Sequence, residues 1–419
     1  MLTEIENETP PENAPAETDA PPAGLPAAVL MGVGGGGNAI AAEVRADAFP
    51  LERVFVDASG ADLSKIAAAG AKKILIGAKA LRGFGAGTNP ERGAAAARES
   101  EAEIRTLFEK TDLLFLVVAL GHGTGSGAAP AIVEIAREMG VVVVCFATRP
   151  YSDEGALFTG QADAAVEKLR ARCNAFVLAE NDALDAAESR EPSGAFHRPA
   201  AAWIARGVRV FAETLFAGNP DARLDFATFR SIFPVVGART LFAVGEGSGA
   251  ETAAENALGE LLRCPLSKTT VAAARSDTLL LRIEAGTSPA ASVVDDVAGR
   301  VQARFGGEER MFTKIAVVPE RGDSIEICVI GAGEIRAARR KRDSFVPAPK
   351  KTAAPEDDAP VSAPEETEDA MLFDPDRGVF QAMRKRLYEG IDLDAPTFRR
   401  KRVNLQNEID VRRKRLRKT

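Results

Sequence analysis

Apolar residues fall along this chain in short runs set between longer stretches of helical spacing. The densest run, 113–120, reads LLFLVVAL and has no polar position. Such a run predicts a strand buried on both faces, as parallel sheets require. Further runs at 27–31, 53–56, 73–76, 141–148 and 175–179 predict more strands. Between them the spacing predicts helices from 39 to about 47 and over 62–69, 93–108, 129–140 and 156–172. Strand and helix in strict alternation imply a parallel sheet flanked by helices. Residues 199–216 carry Trp203, Val208, Val210, Phe211 and Leu215 on a helical stripe and stop at Gly218-Asn219-Pro220. That predicts one long helix with a defined end. Beyond it the pattern predicts a short helix near 225–233, strands at 240–244, 278–284, 314–318 and 324–330, and helices at 250–262 and 290–305. These elements describe a second, smaller α/β domain.

Composition sharpens this picture at the ends. Residues 1–26 are rich in Pro, Ala and Glu and contain no Lys or Arg, which predicts a disordered acidic leader. Residues 337–378 turn polar and proline-rich and predict a disordered linker. The closing segment, 379–419, predicts a helix over 379–390, a patterned peptide over 391–398 and a basic tail. The last 22 residues hold ten Lys or Arg against two acids. Such a tail suits a solvated end, a nucleic-acid footprint or a membrane-surface contact. An ordered motif after a disordered linker suggests a tethered peptide that docks on a partner. The expected division is therefore a leader (1–26), a first domain (27–198), a central helix (199–218), a second domain (219–336), a linker (337–378) and a docking tail (379–419).

The 419 residues carry a net charge of -7, and 46% are apolar, enough for sizeable cores. No apolar run approaches the roughly 20 residues that span a bilayer. The start lacks a basic-then-apolar signal, so a cytosolic location is expected. Cys145, Cys173, Cys264 and Cys328 are far apart in apolar surroundings and read as reduced core thiols. With only His122 and His197, a histidine-based metal site or catalytic triad is poorly supplied, and no metal-ligating residues are expected.

The chemistry concentrates where strands end. The central run leads into Gly121-His122-Gly123-Thr124-Gly125-Ser126-Gly127 and then a helix. Strand, glycine-rich turn and helix start aim backbone N–H groups at one point and favour an anion, phosphate above all. The first strand runs into Gly32-Val33-Gly34-Gly35-Gly36-Gly37-Asn38. Taken alone, Gly32, Gly34 and Gly37 satisfy G-x-G-x-x-G, and Asp57 lies where a dinucleotide fold places its ribose acid. Asn38 suits an N-cap or a ligand contact equally. A third glycine-rich connection spans 83–90 and includes Ala86, Gly87, Thr88 and Asn89. In a parallel sheet the three loops share one edge and can converge on one ligand.

Taken together, these motifs resemble the tubulin/FtsZ family. GHGTGSGAAP resembles its GGGTGTG signature, and GVGGGGNA its first glycine loop. GFGAGTNPERG resembles its third phosphate-side loop, RPYSDEG its ribose-side loop, and LDFATF its synergy loop. YEGIDLDAPTFRRKR resembles the C-terminal docking peptide. The order and spacing match over about 27–335 and the tail, which displaces the dinucleotide alternative. The resemblance implies a GTPase domain, a long central helix and a smaller α/β domain. It implies GTP or GDP with Mg2+, head-to-tail self-assembly, and a cytoplasmic filament at the site of bacterial cell division. Carried over residue by residue, nucleotide contacts fall on Gly34, Gly35, Gly36, Gly37 and Asn38, on Ala86, Gly87, Thr88 and Asn89, on Gly121, Gly123, Thr124, Gly125, Ser126 and Gly127, and on Glu154. The synergy loop places the catalytic carboxylate on Asp225. Docking to membrane-tethering division proteins falls on Asp392, Leu393, Asp394, Pro396 and Phe398, and no nucleic-acid partner is expected. Four positions depart from the family pattern. His122 stands for a glycine and Phe158 for an arginine. Ala202 stands near the base-reading aspartate, and Thr228 replaces the synergy loop's second aspartate.

Overall fold

The structure is a computed structural model that describes residues 25–44, 49–187, 199–217, 219, 222–233, 237, 239–266, 276–333, 387–388 and 391–392. Strands β1 (Ala28–Val33), β2 (Leu51–Asp57), β3 (Lys72–Leu75), β4 (Leu113–Ala119), β5 (Val142–Arg149) and β6 (Ala175–Glu180) form one sheet in the order β3-β2-β1-β4-β5-β6. Every pairing in it is parallel. Between the strands run α1 (Gly34–Glu43), α2 (Gly60–Lys65), α3 (Ala78–Leu81), α4 (Pro90–Glu99), α5 (Glu101–Phe108), α6 (Gly123–Glu138) and α7 (Ala156–Arg170), with α8 (Asn181–Ala187) after β6. The unbroken apolar run of β4 now has its reason. Leu113, Phe115 and Val117 enter one core, while Leu114, Leu116 and Val118 enter a second core on the opposite face. Side chains alternate across a strand, so a sheet covered on both sides needs apolar residues at every position.

The predicted long helix is α9 (Pro199–Phe216). It is followed by α10 (Phe226–Ile232), β7 (Arg239–Ser248), α11 (Ala253–Arg263), β8 (Ser276–Ala285), α12 (Ala291–Phe305), β9 (Gly306–Val317) and β10 (Ser324–Gly333). The second sheet runs β7-β10-β8-β9. It is antiparallel except where β8 lies parallel to β9. Phe211 of α9 stands at the junction, its ring 5.5 Å from Phe146 of β5 and 5.7 Å from Phe242 of β7. The charges of α9 are engaged as well. Arg206 and Arg209 reach Glu326 of β10 at 3.1 and 2.8 Å, and Glu326 is almost wholly buried. Arg282 and Arg321 continue the network to Glu213, Glu284 and Glu246. Glu213, Glu284 and Glu326 cluster closely enough to suggest a metal centre, but four guanidinium groups already occupy their oxygens. The cluster is an ion-pair network.

Three expectations change. The helix expected over 93–108 breaks at Ser100, whose Oγ accepts a hydrogen bond from Gly77 N at 3.2 Å. The strand expected over 314–318 begins at Gly306, because charged residues at 308–310 hide it from an apolar pattern. Within 379–390, where a helix was expected, Leu387–Tyr388 is instead a short strand paired antiparallel with Ile391–Asp392. The remainder of 379–390, the leader, the linker, the basic tail and docking residues Leu393, Asp394, Pro396 and Phe398 lie outside the described residues. Among the described residues, no helix is long and apolar enough to cross a membrane.

Candidate functional site

From β1 the chain turns to β2 and β3 on one side, while β4, β5 and β6 extend the sheet on the other. A crevice opens at such a switch point, outside the carboxyl ends of the two central strands. Helices α1 and α6 both start there. Helix α1 begins at Gly34 directly after β1, and α6 begins at Gly123 after a short turn. Neither start carries a side-chain cap. First-turn N–H groups have no partner inside a helix, so the two starts present free donors and the positive ends of two dipoles. Gly34 has a φ of +74° and Gly121 one of +107°, conformations that L side chains rarely adopt. Gly34 also approaches Gly125 so closely that a Cβ on it would stand 3.0 Å from the Gly125 N.

The other glycines do different work. A Cβ on Gly37 would lie 2.6 Å from the Val117 O, and one on Gly36 2.6 Å from the Ala119 Cβ. On Gly125 it would meet Ala119 O at 2.2 Å, and on Gly127 Pro90 O at 1.9 Å. These residues seat α1 and α6 against β4 and against α4. Gly35 is exposed, and a Cβ on it would meet nothing nearer than Asp57 Oδ2 at 3.9 Å. The loop therefore divides its glycines between packing and an open front.

The third loop reaches the same place. Gly123 N donates to Gly87 O at 3.0 Å, and Asn89 N to Ala86 O at 3.3 Å. Asn89 Oδ1 caps α4, accepting from Glu91 N and Arg92 N at 2.8 and 3.2 Å. Its carboxamide oxygen is thus engaged in holding the loop. Ser126 is also engaged, its Oγ accepting from Gly121 N at 2.8 Å. Gln161 of α7 donates to Thr88 O at 2.8 Å and ties that helix to the loop. Glu154 lies on a 3-10 turn, Ser152–Glu154, between β5 and α7, exposed, with one oxygen accepting from Tyr151 N at 2.8 Å.

Asn38 is neither a cap nor a surface contact. It sits inside α1, fully buried, and its Nδ2 donates to Val56 O at 3.1 Å. Val33 holds the cap position. Asp57 is the acid that a sequence reading tied only to the dinucleotide alternative. Here it lies buried beneath the crevice, with Oδ1 accepting from Ser59 N and Oδ2 without a partner. Burial pushes its carboxyl above the usual range, against the N–H groups of Ser59 and Ala58. Its position at the end of β2 was the available signal. His122 is exposed at the start of α6, its ring 4.6 Å from that of Phe158 on α7. Ala202 is exposed on α9 and offers no polar atom beyond the backbone.

Asp225 stands elsewhere. It caps α10, accepting from Thr228 N at 2.8 Å, and the Thr228 hydroxyl also bonds it; together these hold its carboxyl below the usual range. Arg230 and Phe233, from the far part of this helix and just beyond it, line a cavity with Val141, Val142 and Asn174. Those three residues mark the amino ends of β5 and β6. The synergy-like helix is therefore at one edge of the parallel sheet and the glycine loops are at the other.

Residues 27–188 match the family model described as tubulin/FtsZ family, GTPase domain. The chain is 31% identical over 262 residues to the cell division protein FtsZ 1 of Archaeoglobus fulgidus, covering 62% of this chain and 70% of that protein. Among solved structures, an empty FtsZ dimer from M. jannaschii aligns with a TM-score of 0.64 at 24% identity, over 74% of this chain and 88% of that one. CetZ2 from Haloferax volcanii, in a GTPγS-bound protofilament, aligns with a TM-score of 0.58 at 22% identity, over 76% and 100%. These structural likenesses establish the α/β architecture of two sheets.

Proposed function

The chain belongs to the tubulin/FtsZ family, and from that premise we propose that it binds GTP across its glycine loops, polymerises head to tail and hydrolyses GTP at the contact between subunits. The carrying observation is the separation of Asp225 from the glycine loops by the length of the parallel sheet. One molecule cannot close its own site. A second copy stacked along the strands brings its α10 edge to the first copy's crevice, and a heterologous contact of that kind repeats into a filament.

In this reading the phosphates rest on first-turn N–H groups of α1, from Gly35 and Gly36, and of α6, from Thr124 and Gly125. The α6 donor at Gly123 is taken by Gly87 O, which fixes the loop beside them. Glu154, with one oxygen free, faces the ribose side. The buried, unpartnered Asp57 Oδ2 fits a cation accompanying the phosphates, and Mg2+ there would neutralise charge on the phosphoryl oxygens. Asp225 of the next subunit, kept ionised by Thr228, orients the attacking water; positioning is most of what phosphoryl transfer asks of a protein. The described division into a nucleotide domain (27–198), a central helix (199–218) and a second domain (219–336) belongs to the same reading. So do a cytoplasmic place at the division site, a ring scaffold as the product of assembly, and a C-terminal peptide that docks membrane-tethering proteins.

Asp225→Asn tests it, because asparagine keeps the helix cap. Phosphate release in the presence of GTP should fall by about 100-fold, with GTP binding to the monomer unchanged. Unchanged turnover would remove Asp225 from the mechanism. A second reading rests on Thr228, which engages the Asp225 carboxylate through both its N–H and its hydroxyl. It is a nucleotide-binding structural or regulatory relative with weak or no hydrolysis. Retained binding and assembly with no phosphate release from the native chain would favour it.

A further inference from the structure

Two unsatisfied features lie at opposite ends of β5. Past its carboxyl end, in the first turn of α7, Leu157 is 59% exposed, one of the few large apolar side chains so placed. Asp153, four residues earlier on the 3-10 turn, is exposed and has no ion-pair or hydrogen-bond partner among the described residues. At the amino end of β5 lies the cavity of about 270 Å³ beside α10. Val141, Val142 and Phe233 form its apolar floor, and Arg137 and Arg230 its rim. Both arginines are exposed and, among the described residues, neither pairs with an acid. An apolar protrusion flanked by an acid thus has its complement in an apolar hollow rimmed by two cations.

Within one molecule they cannot meet. The eight residues of β5 at about 3.3 Å each separate them by about 26 Å along the strand. A second copy displaced along the strands puts the amino end of its β5 over the carboxyl end of the first copy's β5. We propose that Leu157 of one copy seats in the Val141–Val142–Phe233 hollow of the next, with Asp153 meeting Arg137 and Arg230, and that this is an anchoring contact of a head-to-tail assembly of this chain. The inference rests on the head-to-tail reading and adds to it the side chains that hold the join. Central apolar anchors carry most of an interface's affinity, while flanking charges set encounter and register. The occupant is the same chain because strand direction alone aligns the two features.

The test uses the full chain. Leu157→Glu, Asp153→Arg and the double variant Arg137→Glu/Arg230→Glu should each raise the critical concentration for GTP-dependent sedimentation by about tenfold. Binding of a fluorescent GTP analogue to the monomer should not change. Combining Asp153→Arg with the two glutamate substitutions should restore most of the assembly, which a merely structural role would not do. If the native chain assembles and all variants assemble equally well, this contact is overturned while the head-to-tail reading stands. A direct arm needs no polymer. A Leu157→Cys chain mixed with an Arg230→Cys chain, the four native thiols being buried, should give a crosslinked heterodimer with a short bis-maleimide. That crosslink without any assembly would keep the contact and sink the polymer, whereas no crosslink overturns the contact.

Discussion

Replacing Gly127 by alanine probes whether the glycine-rich helix is built for packing as well as for its open front. The added Cβ would stand 1.9 Å from Pro90 O, 2.7 Å from Pro90 C and 2.8 Å from Ala94 N. All three are backbone atoms of α4, so no side chain can swing away. Reaching an ordinary contact requires α4 and α6 to separate by about 1.5 Å. Overpacking of this kind costs about 1–3 kcal/mol, a sizeable part of a total stability of roughly 5–15 kcal/mol. The same shift stretches the 3.0 Å hydrogen bond from Gly123 N to Gly87 O and carries residues 86–89 away from the crevice. Gly127→Ala should therefore lower the urea midpoint and weaken GTP binding by about tenfold together. Gly160→Ala is the control. It lies in α7 with no atom within 4 Å of the added Cβ. It should gain about 0.5–1 kcal/mol from helix propensity and leave binding alone. A Gly127→Ala chain as stable as the native one, with native affinity, would refute the packing argument.

Two further outcomes follow from buried acids. The raised carboxyl of Asp57 means that the folded state binds a proton more readily than the unfolded chain. Stability of the nucleotide-free protein should then fall as pH rises from the ordinary aspartate range through the raised folded value. Asp57→Asn should flatten that slope and stabilise the free protein at neutral pH by about 1 kcal/mol; urea titrations across pH would show it, and an unchanged slope would contradict it. Glu326→Ala removes the acid that Arg206, Arg209 and Arg321 share in the junction between α9 and the second sheet. The three guanidinium groups are only partly buried, so losing their shared acid should cost about 2–3 kcal/mol, less than breaking a fully buried pair, and a loss below about 1 kcal/mol by urea unfolding would show the network to be dispensable.

Much of the architecture was legible because strands buried on both faces are written as continuous apolar runs and are hard to mistake. The break at Ser100 was not, since serine itself is tolerated in helices and the partner it meets there, the Gly77 N–H, lies 23 residues away. The early part of β9 was hidden because an edge strand faces water and carries charges there. In the crevice, the three loops could be read as phosphate-friendly from local chemistry alone. Which glycine packs and which faces the opening could not, because Gly127 is explained by Pro90 and Gly37 by Val117. Asn38 illustrates the same limit. A helix-start asparagine suits a cap or a ligand contact, and only the fold reveals that it is buried against Val56.

The four departures from the family pattern fall into two kinds once their neighbours are known. His122 and Phe158 lie 36 residues apart in sequence yet their rings meet in a tilted contact, so a ring pair that bridges the starts of α6 and α7 stands where the family pattern has a glycine and an arginine. Thr228 likewise does not leave a gap. It supplies two donors to Asp225 and keeps that single carboxylate ionised and oriented. Each of these changes is absorbed by a partner within the fold. Ala202 is different, for it is exposed on α9, and no side chain there can hydrogen-bond a base. A site that reads a base by a buried or well-placed polar group rejects the wrong base strongly, whereas an apolar one does not. Phosphate recognition and base recognition are thus separable here. In the proposed reading the first rests on backbone N–H groups that any nucleoside triphosphate can use. The second must come from residues other than Ala202, or be weak.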